Sequence, residues 1–263
     1  MKRLLSFLAF AFVCAVPAFA QSPSAPAAAG SAASSSAATP LPPVDEVLAR
    51  YVVALGGENA LRKINSRIMK GTFEISAQQI SGTAELDMQA PDSFFSEVSL
   101  SDGSQHILVF DGKTGWSAEP HSGVHRISGL ELEQLRRSSH FLYESHLHDL
   151  FADIRVVTKV MEADRPVWVL QASPAQGPPE IFYFDVETGL LVRHDSVQAT
   201  SEGNVPSEHR YLDYITVDGV QVPSLLQHRD PHVAWQVKFT DIRQNVPIDP
   251  AKFAKPSAHS AGK

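Results

Sequence analysis

The sequence predicts a mainly β protein of the α+β class, in which one strongly curved antiparallel sheet is covered by a few helices. Two observations predict this: many short segments alternate apolar and polar residues with period two, and turn dipeptides separate these segments at short intervals. Helical spacing occurs only near the start and the middle of the folded part. A sheet of about 10–12 strands must curl, because twist accumulates from strand to strand. We therefore expect an unclosed barrel.

The first 20 residues have the three-part pattern of a signal peptide. A basic start precedes an apolar run over residues 4–16, and Ala18 and Ala20 are small residues at the two positions that a signal peptidase reads. We expect cleavage after Ala20 and an exported, periplasmic protein. The alternatives are an uncleaved membrane anchor and acylation at Cys14, where Val13 is a poor fit. Cleavage after Ala20 would leave no cysteine, because Cys14 is the only one.

The residues that follow the signal predict one domain between two disordered ends. Residues 21–43 are almost wholly Ala, Ser, Pro and Gly and carry no charge. Such a segment has too little apolar bulk to offset its ordering entropy, so we expect a disordered linker. A single domain is expected over residues 44–256, and a disordered tail over residues 257–263.

The domain begins with a helical pattern and continues with strands. Apolar residues recur at spacings of three and four over residues 44–55, and the following glycine pair supplies a C-terminal stop. A short second helix is expected over residues 58–64. Period-two alternation then predicts strands in residues 67–119 and 154–243, with one dry and one wet face.

A helical interruption separates the two groups of strands at about residues 129–151. Ser128 and Glu131 have the spacing of a capping box, and leucines follow at mostly helical intervals. Ser138 and Ser139 are expected to divide this interruption into two helices.

Composition excludes several classes of protein. The chain has 22 Lys and Arg against 29 Asp and Glu, and loss of Lys2 and Arg3 with the signal would change the formal net charge from −7 to −9. Nucleic-acid binding requires a basic surface, so this class is disfavoured. No stretch after residue 20 is apolar for long enough to span a bilayer.

The sequence predicts neither a metal site, nor a cofactor, nor an enzyme. His121 and His125 are four residues apart but are expected in a loop, and no HExxH motif is present. The histidines of the helical interruption, His140, His146 and His148, are expected to face solvent. No nucleophile elbow, Ser-x-x-Lys motif or phosphate-binding loop occurs.

Several phrases of the sequence resemble a known family. They are GGENALRKI at 56–64, FDGKTGW at 110–116, YFDVETGLL at 183–191, VDGVQVP at 217–223 and PIDP at 247–250. Together they resemble exported bacterial proteins described as outer-membrane lipoprotein-sorting-like, which are related in fold to the LolA and LolB lipoprotein carriers. The resemblance covers about residues 44–256. It implies an unclosed barrel with a helical lid, and an apolar cavity that holds lipoprotein acyl chains without a cofactor.

We therefore expect an exported binding protein for lipid or lipoprotein acyl chains, with envelope membrane proteins as further partners. The expected lining residues are apolar positions on alternating strands: Met69, Phe73, Ile75, Leu86, Met88, Val98, Trp168, Leu170, Phe182, Phe184, Trp235 and Val237. Two alternatives stay open. One is a non-enzymatic envelope sensor or docking module whose cavity is filled by its own side chains. The other is a hydrolase whose His, Asp and Ser converge from distant positions.

Overall fold

A computed structural model gives the structure of the protein, and it describes residues 40–200 and 203–257. The predicted signal peptide and linker residues 21–39 lie outside the described residues, as do residues 258–263 of the predicted tail. Within the described ranges, no helix combines the length and the apolar character needed to cross a bilayer.

The described residues form one antiparallel sheet of 13 strands, which confirms the predicted fold class. The strands are β1 Ser66–Ile75, β2 Ile80–Gln89, β3 Ser93–Leu100, β4 Gln105–Asp111, β5 Gly115–Glu119, β6 Gly123–Arg126, β7 Asp153–Glu162, β8 Arg165–Ser173, β9 Glu180–Asp185, β10 Leu191–Thr200, β11 Gly203–Val217, β12 Val220–Arg229 and β13 Ala234–Gln244. Their order across the sheet is β6-β5-β4-β3-β2-β1-β13-β12-β11-β10-β9-β8-β7. β1 begins the meander β1–β6 and β13 ends the meander β7–β13, and these two strands pair at the centre, while β6 and β7 stand at the two ends of the sheet.

The strand count exceeds the predicted range of 10–12 by one. The predicted strand region ended at residue 119, whereas β6 continues to Arg126 and pairs with β5, Trp116 opposite Arg126 and Ser117 opposite His125. The expectation that His125 lies in a loop is therefore wrong. A four-residue edge strand with exposed side chains has little apolar alternation, so the sequence pattern does not distinguish it from a turn.

The helices are α1 Val44–Ala54, α2 Glu58–Leu61, α3 Gly129–Ser138 and α4 Leu147–Leu150, and single 3₁₀ turns cover Ser76–Gln78, Tyr143–Ser145 and Pro250–Phe253. The helical interruption is divided after Ser138, as its two serines predicted. Ser128 precedes α3 at the N-cap position, but its side chain makes no capping hydrogen bond.

The sheet has two faces, which differ in what covers them. The face that packs against α1, α2 and residues 137–151 is called the inner face, and residues 137–151 are called the lid. On the opposite, outer face, Phe253 of the C-terminal 3₁₀ turn packs with Phe95 and Val109. Lys252 of the same turn donates to Asp87 at 2.6 Å and also to Glu85, which ties the end of the domain to β2.

The junction of β1 and β13 depends on a glycine. The register of the pair shifts between Lys70 and Gly71, and a Cβ at Gly71 would overlap the carbonyl oxygen of Lys238 on β13. Only a residue without a side chain allows the two backbones to approach this closely.

We expect Gly71→Ala to lower the free energy of unfolding by about 3 kcal/mol, because the added methyl group must push two central strands apart. Urea unfolding measures the change. Thr72→Ala is the control, since Thr72 is exposed on the same strand. Equal effects of the two substitutions would contradict the prediction.

Candidate functional site

All 12 residues predicted to line a cavity lie in one apolar cluster of the inner face, together with side chains of the helices. Seven are buried: Met69, Phe73, Ile75, Leu170, Phe182, Phe184 and Val237. The other five are partly buried: Leu86, Met88, Val98, Trp168 and Trp235. Their contact with a ligand stays a prediction.

Aromatic side chains of the helices cover this cluster. The Tyr51 ring of α1 contacts the Phe184 ring edge-on, with 5.1 Å between centroids. From the lid, the Tyr143 and Phe151 rings lie 6.1 Å and 5.9 Å from the Phe182 ring. The inner face is thus packed against the protein's own helices at β9, toward the β7 end of the sheet.

An open cavity of about 480 Å³ remains at the border between the lid and the first two helices. Its lining is mainly apolar, and consists of Val52, Glu58, Leu61, Arg62, Ile64, Ala90, Pro91, His140, Phe141, Leu142, Ser145 and His146. Leu142 has a φ of 57°, which is a strained backbone conformation for a leucine. None of the 12 predicted residues is in this lining, so this cavity lies beside the predicted site.

Two histidines of the cavity differ from the expectation that they face solvent. His140 and His146 are half-buried, and their rings contact edge-on with 4.9 Å between centroids. Nδ1 of His140 also lies 2.7 Å from a carboxylate oxygen of Asp92. His148, in contrast, is exposed as expected.

A buried carboxylate connects the lid to the sheet. Glu180 of β9 is only 6% exposed. It accepts hydrogen bonds from Arg137 at 2.8 Å and from the Tyr143 hydroxyl at 2.7 Å, both of which belong to the lid. Nε2 of His194 on β10 lies 2.8 Å from the same carboxylate. Burial alone would raise the pKa of Glu180, but these hydrogen bonds and the His194 ring lower it to about 2.

Aromatic and imidazole rings form a continuous row across five neighbouring strands of the inner face. Phe182 stands opposite His194, His194 opposite His209, His209 opposite His228, and His228 opposite Trp235. Consecutive ring centroids are 4.3, 6.3, 4.7 and 4.7 Å apart. The three imidazoles of this row are called the histidine row.

His209 and His228 of the histidine row have few hydrogen-bond partners. Nδ1 of His228 lies 3.1 Å from Nε2 of His209, and Nε2 of His228 lies 3.2 Å from Asp230. Nδ1 of His209 is buried without a hydrogen-bond partner. Burial lowers the pKa of His209 well below its usual value, and the nearby His228 and His194 lower it further. Burial also lowers the pKa of His228, against the opposing effect of Asp230.

A second polar group lies under the lid. Arg67 of β1 donates to Gln244 at 3.2 Å and lies 6.0 Å from the centre of the Phe141 ring, while its Nε is buried without a partner. Burial raises the pKa of Glu144 in the lid, although Arg67 and His194 oppose the shift. The described residues include no group of three or more metal-ligating side chains that could hold an ion.

No protein-family model matches the chain, and no curated protein matches its sequence. Solved structures do match. A DUF1329 family protein from Desulfovibrio piger is 13% identical and aligns over 81% of this chain and 97% of that one, with a TM-score of 0.55. A LolA superfamily protein from Nitrosomonas europaea is 9% identical and aligns over 82% of this chain and 99% of that one, with a TM-score of 0.54.

This chain has a LolA-like fold. At these identities the likeness concerns the fold, and the order and spacing of the sequence phrases had predicted the same fold. The LolA-like fold places the apolar faces of most strands on one inner surface, where the lid and α1 cover them.

The sequence interpretation missed the polar groups of the inner face. His209 is two residues from Tyr211 on β11, and His228 is two residues from Leu226 on β12, so each histidine lies on the same strand face as an aromatic or apolar residue. This two-residue spacing is the sequence pattern that could have predicted their position on the inner face. Their alignment with His194 across three strands depends on register, which no single strand pattern specifies.

We expect Glu180→Gln to lower the free energy of unfolding by about 3 kcal/mol, because it leaves the guanidinium of Arg137 buried without a counter-charge. The matched control is Glu133→Gln, which removes an exposed pair with Arg136 and should cost less than about 1 kcal/mol. Denaturant unfolding at neutral pH compares them. Equal losses of unfolding free energy in the two variants would contradict the prediction.

We expect the free energy of unfolding to fall as the pH decreases from 7.5 to 5.5. His209 and His228 have lower pKa values in the folded protein than in the unfolded chain, so below about pH 6.5 the unfolded chain binds more protons. Each histidine can contribute up to about 1.4 kcal/mol per pH unit. Glu180 loses its contribution only in stronger acid, as the pH falls toward its pKa of about 2. A flat unfolding free energy over this range would contradict the prediction.

Proposed function

We propose that the protein is an exported, periplasmic carrier that binds acyl chains of a lipid or lipoprotein on the inner face of its sheet, beneath the lid. The single observation that carries the proposal is the large apolar cluster of the inner face, which in residues 40–200 and 203–257 is covered by short helical elements instead of a second sheet. A surface of this kind is suited to a long apolar ligand, because burial of each CH₂ group contributes about 0.8 kcal/mol.

The cavity beside the lid is a suitable entrance for such a ligand. Its volume of about 480 Å³ is in the range of ligand sites, and Leu61, Ile64 and Phe141 give it apolar walls. It borders both the lid and α1, the two elements that cover the inner face. An acyl chain that enters here would displace lid side chains and reach the residues predicted to line the site.

The LolA-like fold is consistent with this function, since the family resemblance implies carriers of lipoprotein acyl chains. The predicted signal peptide would bring the protein to the periplasm, and the predicted linker would separate the domain from the membrane surface that it leaves. A role in lipoprotein sorting is part of the proposal.

The close packing of Tyr51, Tyr143 and Phe151 on the inner face favours one alternative, an envelope docking module that holds no ligand. Native mass spectrometry with lipid extraction separates the two functions. The exported protein is purified without detergent. A co-purified acyl species in near-stoichiometric amount supports the carrier. An apo mass that persists after incubation with phospholipid or lipoprotein supports the docking module.

We expect Trp235→Glu to weaken the binding of a fluorescent fatty acid about tenfold or more, because it places a charge on the apolar inner face. The matched control is Trp116→Glu, which changes a half-buried tryptophan that contacts Lys255. Circular dichroism and thermal unfolding show whether each variant folds. Unchanged binding in folded Trp235→Glu would place the ligand elsewhere.

Leu142→Asn tests the entrance separately. Asparagine tolerates the left-handed conformation at this position, so the backbone is kept while apolar surface is lost. We expect slower association of the fatty acid, measured by stopped-flow fluorescence, with little change in stability. An unchanged association rate would exclude this cavity as the entrance.

A further inference from the structure

We propose that the histidine row makes the lid acid-sensitive: in mild acid the lid detaches from the inner face while the sheet stays folded, and the acyl site opens. This inference rests on the proposed function for the ligand that would be released. The opening itself is a property of the protein without any ligand.

The lid is held at its start by Glu180. Arg137 and the Tyr143 hydroxyl reach this carboxylate from the lid, and His194 reaches it from the sheet. The Tyr143 ring also lies 6.2 Å from the His194 ring. The first imidazole of the row therefore shares a partner with the lid and is covered by a lid side chain.

The row has too few counter-charges for added protons. The charged and titratable groups around it are Arg137, Tyr143 and Glu144 of the lid, Glu180 of β9, Tyr211 of β11 and Asp230 after β12, and at the rim cavity also Glu74, Glu208, Arg210 and Arg229. Of the rim carboxylates, Glu208 already pairs with Arg193 and Arg210. Neighbouring β13 and β1 contribute the uncharged rings of Trp235 and Phe73. Glu180 already accepts from three groups. Asp230 reaches only His228 of the row and also accepts from the backbone amides of His232 and Val233.

A proton on His209 or His228 is therefore poorly accommodated in the closed state. The two rings are 4.7 Å apart, so a charge on one opposes a charge on the other. Nδ1 of His209 has no acceptor to which a proton could be donated. Burial lowers the pKa of both imidazoles, in agreement with this geometry.

Protons can reach the row from the rim of the sheet. His228 and Trp235 line a second cavity of about 320 Å³, together with polar side chains that include Gln227 and Gln236. Once charged, the imidazoles need water. The rim cavity can supply this water to His228, whereas at the other end of the row the Tyr143 ring of the lid lies beside His194, so movement of the lid would admit water there. The short elements of the lid can separate from the sheet without breaking any strand pairing, whereas the row itself lies on three paired strands.

Hydrogen exchange measured by mass spectrometry on the ligand-free mature protein tests the proposal at pH 7.5 and pH 5.5, after correction for intrinsic exchange rates. We expect the protection of the lid, residues 137–151, to fall about tenfold at the lower pH, while β1 and β13 keep theirs. His209→Phe should clearly reduce this fall, because phenylalanine keeps a ring at this position and cannot be protonated, so that only His228 of the two can still respond. His228→Gln is the second variant, used if His209→Phe does not fold. His121→Asn, at an exposed turn, is the matched control and should behave like the unmodified protein.

Either of two results would overturn the proposal: an equal loss of lid protection in the folded His209→Phe variant, or a loss that affects the strands as much as the lid. Because no lipid is present, failure here leaves the carrier function intact. Conversely, a persistent apo mass in the lipid experiment would contradict the carrier function and leave the acid response of the lid unaffected.

Discussion

The need to cover one apolar face of a curved, open sheet determines most of this structure. Strands from both meanders direct apolar side chains to the inner face, and no second sheet packs against it within the described residues. Two short helical regions provide the cover. Because these regions are separate from the strand pairing, the cover can change its position at less cost than the sheet. The same constraint therefore gives the domain its core and gives the proposed ligand a route into it.

The polar groups beneath the cover have a different role from the apolar ones. A carboxylate that accepts from Arg137, Tyr143 and His194 fixes where the lid lies, since each partner must be satisfied in the closed arrangement. Arg67 and Glu144 add a second polar group near the cavity. Apolar packing alone would tolerate several lid positions. Buried charges restrict the lid to one position, and this makes the lid sensitive to conditions that change those charges.

Much of the fold was predictable because it depends on local patterns. The period-two strands, α1 with its glycine stop, and the break after Ser138 all arise from interactions between residues near in sequence. The 12 apolar residues predicted for one face share one cluster, since alternation fixes which side chains lie on the same side of a strand. The short strand β6 was missed because its exposed residues carry no such pattern. His140 and His146 were expected in solvent, because the spacing of residues in a helical segment does not show which other elements pack against that segment.

The sequence by itself thus determined the class of fold, the apolar face and the resemblance to lipoprotein carriers. Only the tertiary structure decided which polar residues share that face and which of them meet. Glu180 contacts Arg137 across 43 residues, and His209 faces His228 only through the register of two strands. Register and long-range pairing result from the packing of the whole sheet, and a shift of one residue would move each histidine to the other face. For this reason the histidine row could not be predicted from local sequence patterns.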